Sequence, residues 1–277
     1  MTHRQYETVV LKAGSGLFDL NLRGVWRHRE LLLFLVWRDL KVRYAQTWLG
    51  VAWAVVQPVL ALLVFTAVFG IFAGFPSDGF PYPVVTLAAL LPWTLFADAA
   101  RRGALGLFGD AELIRKIYFP RLVIPIANVL APLVDFAIGL VLLLVLMAWY
   151  GIWPGRNLLL LPGLILIILG MALAFALWLG PLHVRFHDIS HTLPLFFQVW
   201  MYATPIVYPL SMVPEQWRLL YSLNPFVGIV EGFRWSLLGV GSFDTLALGI
   251  SCAFTALFLI GGMIKFRKAE RSFADYI

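Results

Sequence analysis

The sequence predicts an all-α integral membrane protein with six transmembrane helices, an N-terminal interfacial amphipathic helix and two re-entrant half-helices before the last span. Three observations support this fold class. The 277 residues are 61% hydrophobic and 13% charged, whereas soluble domains are roughly 45–50% apolar and about 25% charged. Six runs lack charged residues and are long enough to cross a bilayer, which takes about 20 apolar residues. Lys and Arg cluster in alternate connecting segments.

The six uncharged runs define the spans in order along the chain. We place the spans near Trp48–Phe72, Val84–Ala100, Leu122–Met147, Leu158–His183, Thr192–Tyr208 and Thr245–Lys265. The third span then contains one acidic residue, Asp135. The chain is thereby divided into an N-terminal segment with the interfacial helix (1–48), a transmembrane domain (49–265) and a C-terminal tail (266–277).

The distribution of basic residues predicts the orientation, because loops rich in Lys and Arg stay in the cytoplasm. With both termini inside, the cytoplasmic segments hold 18 of the 21 Lys and Arg residues, and the outer loops hold only Arg156, Arg218 and Arg234. We therefore predict a multi-pass protein with both termini in the cytoplasm. The net charge of +6 has the same origin and suits anionic membrane lipids as partners. We expect no nucleic acid partner.

A basic segment between Gly24 and Leu49 precedes the first span. Its apolar core, Leu31–Trp37, is too short to cross a bilayer and is flanked on both sides by charged residues. Such a helix lies in the interface, with its apolar side in the acyl boundary and its basic side toward the headgroups. A plain membrane anchor remains the alternative.

The connection between the second and third spans, residues 101–121, contains a short helical pattern. Asp110 and Glu112 come early, Arg115 and Lys116 come late, and Pro120 stops the helix, an order that suits the helix dipole. This helix is either a docking element for another protein or a solvated connector.

Two apolar segments before the last span are too short to cross. They run over roughly Glu215–Leu223 and Phe226–Leu238 and are split by Asn224-Pro225, which disfavours a continuous helix. Broken helices at membrane depth occur only where protein shields them or where they line a wet cavity. We therefore expect a re-entrant pair that forms a lid near the outer face, with two amphipathic surface helices as the alternative.

The sequence contains no G-x-x-x-x-G-K-[ST] loop, so we expect any ATP-driven step to depend on another subunit. We expect no catalytic residues and no cofactor in this chain. His183, His187 and His191 share a helical spacing, but only Asp188 is a neighbouring acid and the single cysteine, Cys252, lies in an apolar run. We therefore expect a cytoplasmic loop face and no metal site.

Asp98 and Asp135 are the acidic residues closest to the predicted membrane interior. Ionisable groups there are functional candidates by default. Both also have a structural interpretation, because Asp98 lies beside Arg101 and Arg102, and Asp135 can pair with a donor on a neighbouring helix.

Five sequence strings occur in an order that resembles the ABC-2 permeases that export polysaccharides, such as the O-antigen, teichoic acid and capsule exporters. The resemblance covers nearly the whole chain. The strings are RDLKVRYAQTWLGVAWAVVQP (38–58), LIRKIYFPRLVIPIANV (113–129), RFHDIS (185–190), YATPIVYP (202–209) and LNPFVGIVEGFR (223–234). One departure is His187, where relatives more often have Arg.

The resemblance implies a homodimer in the bacterial inner membrane, paired with two ABC ATPase subunits that bind ATP and Mg. It implies ATP-driven export of a lipid-linked polysaccharide, carried on undecaprenyl diphosphate, such as O-antigen. An ABC-2 exporter of a small lipid or drug would share the fold. A membrane-embedded transferase acting on lipid-linked sugars would need a convergent acid or His constellation, and none is evident.

The resemblance also suggests roles for four groups of residues. The first group would load the lipid diphosphate and consists of Arg38, Lys41, Arg43, Leu49 and Gly50. The second would couple the chain to the ATPase and consists of Asp110, Glu112, Leu113, Arg115, Lys116, Tyr118 and Phe119. The third would form an outer gate and consists of Asn224, Pro225, Glu231 and Arg234. The fourth is the pathway aromatics Tyr82, Trp200, Tyr202 and Tyr208, since aromatic rings stack on sugars and also anchor proteins at the interface. Arg binds phosphate through two nitrogens, but topology alone would also place Arg38, Lys41 and Arg43 here.

Overall fold

The computed structural model describes residues 22–45, 47–239 and 244–270, and the regular structure within these ranges is helical. The helices are α1 (Leu22–Arg27), α2 (Arg29–Ala45), α3 (Trp53–Phe65), α4 (Tyr82–Gly109), α5 (Ala111–Lys116), α6 (Val123–Leu130), α7 (Leu133–Trp149), α8 (Leu161–Arg185), α9 (Ile189–Tyr202), α10 (Glu215–Ser222), α11 (Val227–Leu238) and α12 (Thr245–Glu270). The first twenty residues, for which the sequence suggested no role, and residues 271–277 of the predicted tail lie outside the described residues.

Within the described residues, five helical segments are long and apolar enough to cross a membrane. They are Gly50–Phe72, Tyr82–Gly109, Val123–Trp149, Arg156–Arg185 and Thr245–Glu270. These correspond to the first four predicted spans and the last one, with different ends. The last helix continues to Glu270, so the predicted tail boundary at 265 falls inside it.

The region predicted as the fifth span forms a shorter helix than expected. Helix α9 has 14 residues, and at 1.5 Å per residue it is about 21 Å long, less than the roughly 30 Å of a hydrocarbon core. The helix ends before Pro205, because proline disfavours helical geometry in the residue that precedes it. Beyond the end of the helix, the Thr204 hydroxyl donates a hydrogen bond to the Trp200 carbonyl at 2.9 Å.

The second span extends beyond its predicted end. Helix α4 continues past Ala100 to Gly109, so the connector to the third span begins at Asp110 and not at Arg101. Gly103, Ala104 and Leu107 are buried on this extension. Small residues permit the close packing, since a Cβ added to Gly103 would lie 2.5 Å from the Ala176 Cβ of α8. Burial against neighbouring helices therefore outweighs the two basic residues that suggested a loop.

Helix α4 lies at the centre of the bundle, and α3 lies at its margin. Every residue from Val84 to Trp93 is buried, whereas in α3 only Ala54 and Leu62 are buried within the chain. The central helix packs most extensively against α8, which in turn packs against α12. The first span thus presents an apolar surface that this single chain leaves uncovered.

A second core closes one end of the bundle, which we call the basic end. Leu35 of α2 packs there with Leu107, Phe119, Ile124 and Phe266, near the C-terminal ends of α4, α8 and α12. Other apolar side chains of α2 are exposed, among them Leu33, Phe34 and Trp37. One side of α2 is therefore fixed to the bundle while the other is open to the surroundings. Helices α10 and α11 lie at the opposite, far end.

Candidate functional site

The predicted loading cluster on α2 does not form one surface. Arg38 pairs with Asp39 and with Asp110, both at 2.8 Å. Lys41 is exposed, with its Nζ 4.8 Å from the centre of the Trp37 ring. Arg43 pairs with Asp135. The three cations thus face a connector helix, the outside and the interior of the bundle.

Arg43 reaches a cavity of about 630 Å³ between α3, α4 and α7. Its charged lining consists of Arg43, Asp98, Arg101, Arg102 and Asp135, and its apolar lining includes Leu87, Leu90 and Leu91. Along α4, Leu90 and Arg101 are eleven residues apart, which corresponds to about 16 Å. The cavity is therefore polar at the basic end and apolar deeper in the bundle.

Asp135 holds the polar end of this cavity together. It lies in the first turn of α7, where a carboxylate interacts favourably with the helix dipole. It accepts hydrogen bonds from the Arg43 guanidinium and from the Tyr44 hydroxyl. These contacts confirm the structural interpretation that Asp135 pairs with a donor on a neighbouring helix, and they bring residues 91 and 92 positions apart into contact.

Three arginines and two aspartates line the cavity, and their positive charges are not all neutralised. Arg101 pairs with Asp98 at 3.1 Å, as its position in the sequence suggested. Arg102 has no ion-pair partner within the described residues, and its Nε is buried without a hydrogen-bond partner there. The Nε and Nη2 atoms of Arg43 are in the same situation. Neither Arg101 nor Arg102 belongs to a site that the sequence predicts.

Leu49 and Gly50 lie in the turn that enters the first span, next to the cavity. Gly50 has φ +52°, a left-handed conformation that glycine adopts without steric cost. Thr47 and Trp53, on either side of this turn, line the cavity. The residues that flank the turn therefore form part of the cavity wall at its polar end.

The predicted coupling segment forms α5 and the residues around it. Leu113 and Phe119 pack against the core at the basic end, and Phe119 is only 5% exposed. Tyr118 is 72% exposed. Glu112 and Lys116 form an ion pair with their charged atoms 3.1 Å apart, and both side chains are exposed. Arg115 is also exposed. The segment is thus anchored by two apolar side chains and presents a mixed-charge, aromatic surface.

Asp110, at the start of α5, connects this segment to α2. Burial raises the pKa of its carboxyl group, while Arg38 opposes that shift. The ion pair between Arg38 and Asp110 joins one residue of the predicted loading cluster to one of the predicted coupling segment. The sequence predicts Arg38 and Asp110 in separate sites, because no local pattern indicates a contact between residues so far apart in the chain.

At the far end, Asn224 connects the break between α10 and α11 to the end of α9. Its Oδ1 accepts from the Trp200 indole nitrogen at 3.0 Å and from the Phe226 amide at 3.1 Å. Its Nδ2 donates to the Ala203 carbonyl at 3.2 Å and to the Thr204 hydroxyl at 3.0 Å. The side chain therefore uses its full hydrogen-bonding capacity. Pro225 follows it at the break between the two helices.

Glu231 and Arg234 form an ion pair inside the protein. Their charged atoms are 2.9 Å apart, and the Arg234 and Glu231 side chains are 4% and 17% exposed. Arg234 also donates to the Ile206 carbonyl at 2.9 Å. Together with Asn224, this pair ties α11 to the segment that follows α9.

Three of the four predicted pathway aromatics are engaged in contacts within the chain. Trp200 packs against Trp93 and Phe96 with ring centroids 5.7 and 5.4 Å apart. The Tyr82 hydroxyl donates to the Val207 carbonyl at 2.7 Å, and the Tyr208 hydroxyl lies 3.0 Å from that of Tyr221. Tyr202 is the most open of the four, at 51% exposed.

His183, His187 and His191 lie at the basic end, from the last turn of α8 to the start of α9. His183 and His187 have ring centroids 6.0 Å apart, and both rings contact Phe108. Across the described ranges, no three His, Cys, Asp or Glu side chains are grouped so that they could hold a metal ion.

The chain is similar to known proteins over almost its whole length. The family described as "ABC-2 type transporter" matches residues 30–238. An O-antigen export system permease protein from Myxococcus xanthus is 33% identical over 92% of this chain and 98% of its own length. Another from Klebsiella pneumoniae is 27% identical over 90% and 95%. A polysialic acid transport protein from Escherichia coli is 25% identical over 87% and 93%. The chain therefore belongs to the ABC-2 type transporter family.

Proposed function

We propose that this chain is the transmembrane subunit of an ATP-driven exporter that moves a lipid-linked polysaccharide, such as O-antigen on undecaprenyl diphosphate, across the bacterial inner membrane. The observation that carries the proposal is the end-to-end similarity to permeases named for O-antigen and polysialic acid. A cavity that is basic at one end and apolar at the other suits a cargo that joins a charged headgroup to a lipid.

We further propose that the basic end faces the cytoplasm, with both termini there. The concentration of Lys and Arg in the segments at this end supports that orientation. Helix α9, with the residues after it, would complete a sixth crossing, and α10 and α11 would enter from outside without crossing. A single cysteine at position 224, in a Cys252→Ser background, tests this topology with a membrane-impermeant thiol reagent. Labelling only from the cytoplasm contradicts the orientation.

Two surfaces support the proposed partners. The exposed apolar side of the first span, with Leu60, Leu63 and Val64, would pack against a second copy, because a homodimer places a transport path between the two chains. The exposed side of α5, with Glu112 and Arg115, and Tyr118 just after the helix, would bind an ATPase subunit at the basic end. ATP and Mg would be bound by that subunit, since this chain contains no P-loop sequence.

Loading of the cargo would begin beside α2. Lys41 is exposed on this helix, and Arg43 leads into the cavity next to the Leu49-Gly50 turn. Helices α10 and α11 would act as the outer gate. Tyr202, which is exposed near that end, is the pathway aromatic with a ring most open to a passing sugar.

Deletion and complementation test the function directly. A strain that lacks this chain should accumulate lipid-linked glycan inside the cell and lose it from the surface, and the wild-type gene should restore it. The tagged chain should also co-purify with a subunit that carries Walker motifs. Normal surface glycan in the deletion strain would show that the proposed cargo is wrong.

A further inference from the structure

We infer that the cavity between α3, α4 and α7 contains a phosphate-binding subsite in which Arg102 and Arg43 hold the headgroup of a lipid phosphate or diphosphate. This inference deepens the proposed function and rests on it for the identity of the cargo. The main phosphate contact then lies in the interior of the bundle and not on the exposed side of α2, and it includes Arg102, which belongs to no site that the sequence predicts.

The first argument is the state of the guanidinium groups. Nε of Arg102 and both Nε and Nη2 of Arg43 are buried without a hydrogen-bond partner in the described part of the chain. A buried donor without a partner carries a desolvation penalty, which is larger for a charged group. An anion with several acceptor oxygens would satisfy these donors together.

The second argument is the charge balance of the cavity. Three arginines against two aspartates leave one excess positive charge. Asp98 pairs with Arg101, and Asp135 with Arg43 and Tyr44, so neither aspartate of the lining forms an ion pair with Arg102. Arg102 and Arg43 both line this cavity, and two positive charges in one poorly solvated space repel each other. A phosphate between the two groups would relieve that repulsion.

The third argument is the shape of the cavity. Its volume of about 630 Å³ is within the range of roughly 300–1,000 Å³ that is typical of small-molecule sites. The apolar lining from Pro58, Ala61 and Leu87 leads away from the arginines into the bundle. A phosphate attached to a hydrocarbon chain matches both parts, whereas a free sugar would meet an apolar wall.

Asp135 has a specific role in this arrangement. Its carboxylate neutralises Arg43 and orients it toward the cavity, so it holds the guanidinium in place but also competes with an incoming phosphate. Removing the carboxylate charge should therefore strengthen binding, and removing the Arg102 charge should weaken it. A purely structural network would not respond to the two changes in opposite directions.

Binding can be measured on the purified full-length chain in nanodiscs of zwitterionic phosphatidylcholine, with farnesyl diphosphate as the probe and native mass spectrometry or calorimetry as the readout. We expect Arg102→Gln to weaken binding at least about tenfold, because it removes a charge-assisted contact, and Asp135→Asn to strengthen it. Arg29→Gln is the matched control. It removes an exposed positive charge from the basic segment and should leave affinity unchanged.

Three further probes identify the source of the phosphate. Farnesol should bind far more weakly than the diphosphate, and phosphatidylglycerol shows whether an ordinary anionic headgroup also enters. Equal dependence of phosphatidylglycerol and farnesyl diphosphate on Arg102 would identify a general lipid-phosphate site. Dependence of the diphosphate alone would identify a cargo site.

Equal affinity of Arg102→Gln and wild-type protein for farnesyl diphosphate would overturn the inference, as would equal affinity for farnesol. Because Asp135→Asn can destabilise α7, the Arg102→Gln measurement stands by itself, with a thermal unfolding curve to check folding. Failure of this test in a chain whose deletion still abolishes surface glycan would remove the subsite and leave the proposed function intact.

Discussion

The two ends of the bundle differ in how many of their buried polar groups have hydrogen-bond partners. At the far end, Asn224 satisfies every donor and acceptor of its amide, and Arg234 has partners at both terminal nitrogens, with only Nε unpaired. At the basic end, Arg43 and Arg102 retain unpaired nitrogens beside a cavity. A satisfied network stabilises one arrangement, and an unsatisfied one beside an open space is suited to bind something.

The largest effect should come from breaking the buried pair at the far end. Arg234→Met leaves Glu231 charged inside the protein without its partner, and loss of one member of a buried pair typically costs about 3–5 kcal/mol. We expect a markedly lower unfolding temperature of the purified protein. Arg218→Met is the control, since Arg218 belongs to an exposed pair with Glu215 at 3.8 Å. Equal unfolding temperatures for the two variants would contradict the difference between the sites.

Asn224→Ala should have a somewhat smaller effect. It leaves the Trp200 indole N–H and the Phe226 amide without their acceptor, but both hydrogen bonds are only partly buried, so each loss should lie near the lower end of the about 1–3 kcal/mol that an orphaned buried group costs. The thermal midpoint should fall, and the near-ultraviolet circular dichroism of the aromatic cluster should weaken as Trp200 loosens. Asn157→Ala, at a half-buried site near the same end, should leave both signals unchanged. A normal aromatic spectrum in Asn224→Ala would show that this network does not hold Trp200.

Several features of the fold were predictable because their signals are local. The apolar core of α2 and the Asn224-Pro225 break lie in a few consecutive residues, and the structure contains a helix and a helix break at those places. The early end of α9 also had a local signal in the Thr204-Pro205 pair, which the length of the uncharged run obscured. The extension of α4 had none, because Arg101 and Arg102 suggest a loop unless the packing of Gly103 against α8 is known.

The composition of the candidate site was less predictable than the fold. Asp135 and Asp98 were identifiable as acids near the membrane interior, but their partners were not equally clear. Arg101 is three residues from Asp98, whereas Arg43 and Asp135 are separated by 92 positions. No local feature of a single sequence marks such a distant pair, so the sequence predicts one group that contains Arg43, Arg38 and Lys41. The structure separates these three cations by the direction each one faces.

A change on the exposed side of α5 should affect activity without affecting stability. Combined Glu112→Ala and Arg115→Ala substitutions remove charges from the proposed ATPase surface, and exposed charges contribute within about 0.5 kcal/mol to folding. We expect normal membrane levels, reduced export and ATP hydrolysis that no longer drives transport. The matched control is Arg156→Ala, which removes an exposed charge outside every proposed site. Unchanged export and unchanged association with the ATPase would remove the coupling assignment.

The smallest expected effect concerns the ion pair that joins α2 to α5. Burial raises the pKa of Asp110 above its ordinary value of 3.8, although Arg38 opposes the shift, and the nearby Asp39 adds to it. A raised pKa means that the folded state binds the proton more tightly than the unfolded state does. As the pH falls through this raised pKa, the wild-type protein should therefore gain stability relative to Asp110→Asn. The ion pair with Arg38 is lost at the same time, because the carboxylate is neutralised.

This loss can be measured with spin labels at exposed positions on α2 and α5. In acid, the distribution of distances between the labels should become broader for the wild-type protein. The same labels in Asp110→Asn should give one distribution at every pH. A wild-type distribution that stays unchanged well below pH 3.8 would show that apolar contacts, such as those of Leu35 and Phe119 in the core at the basic end, hold α2 against α5 without this pair.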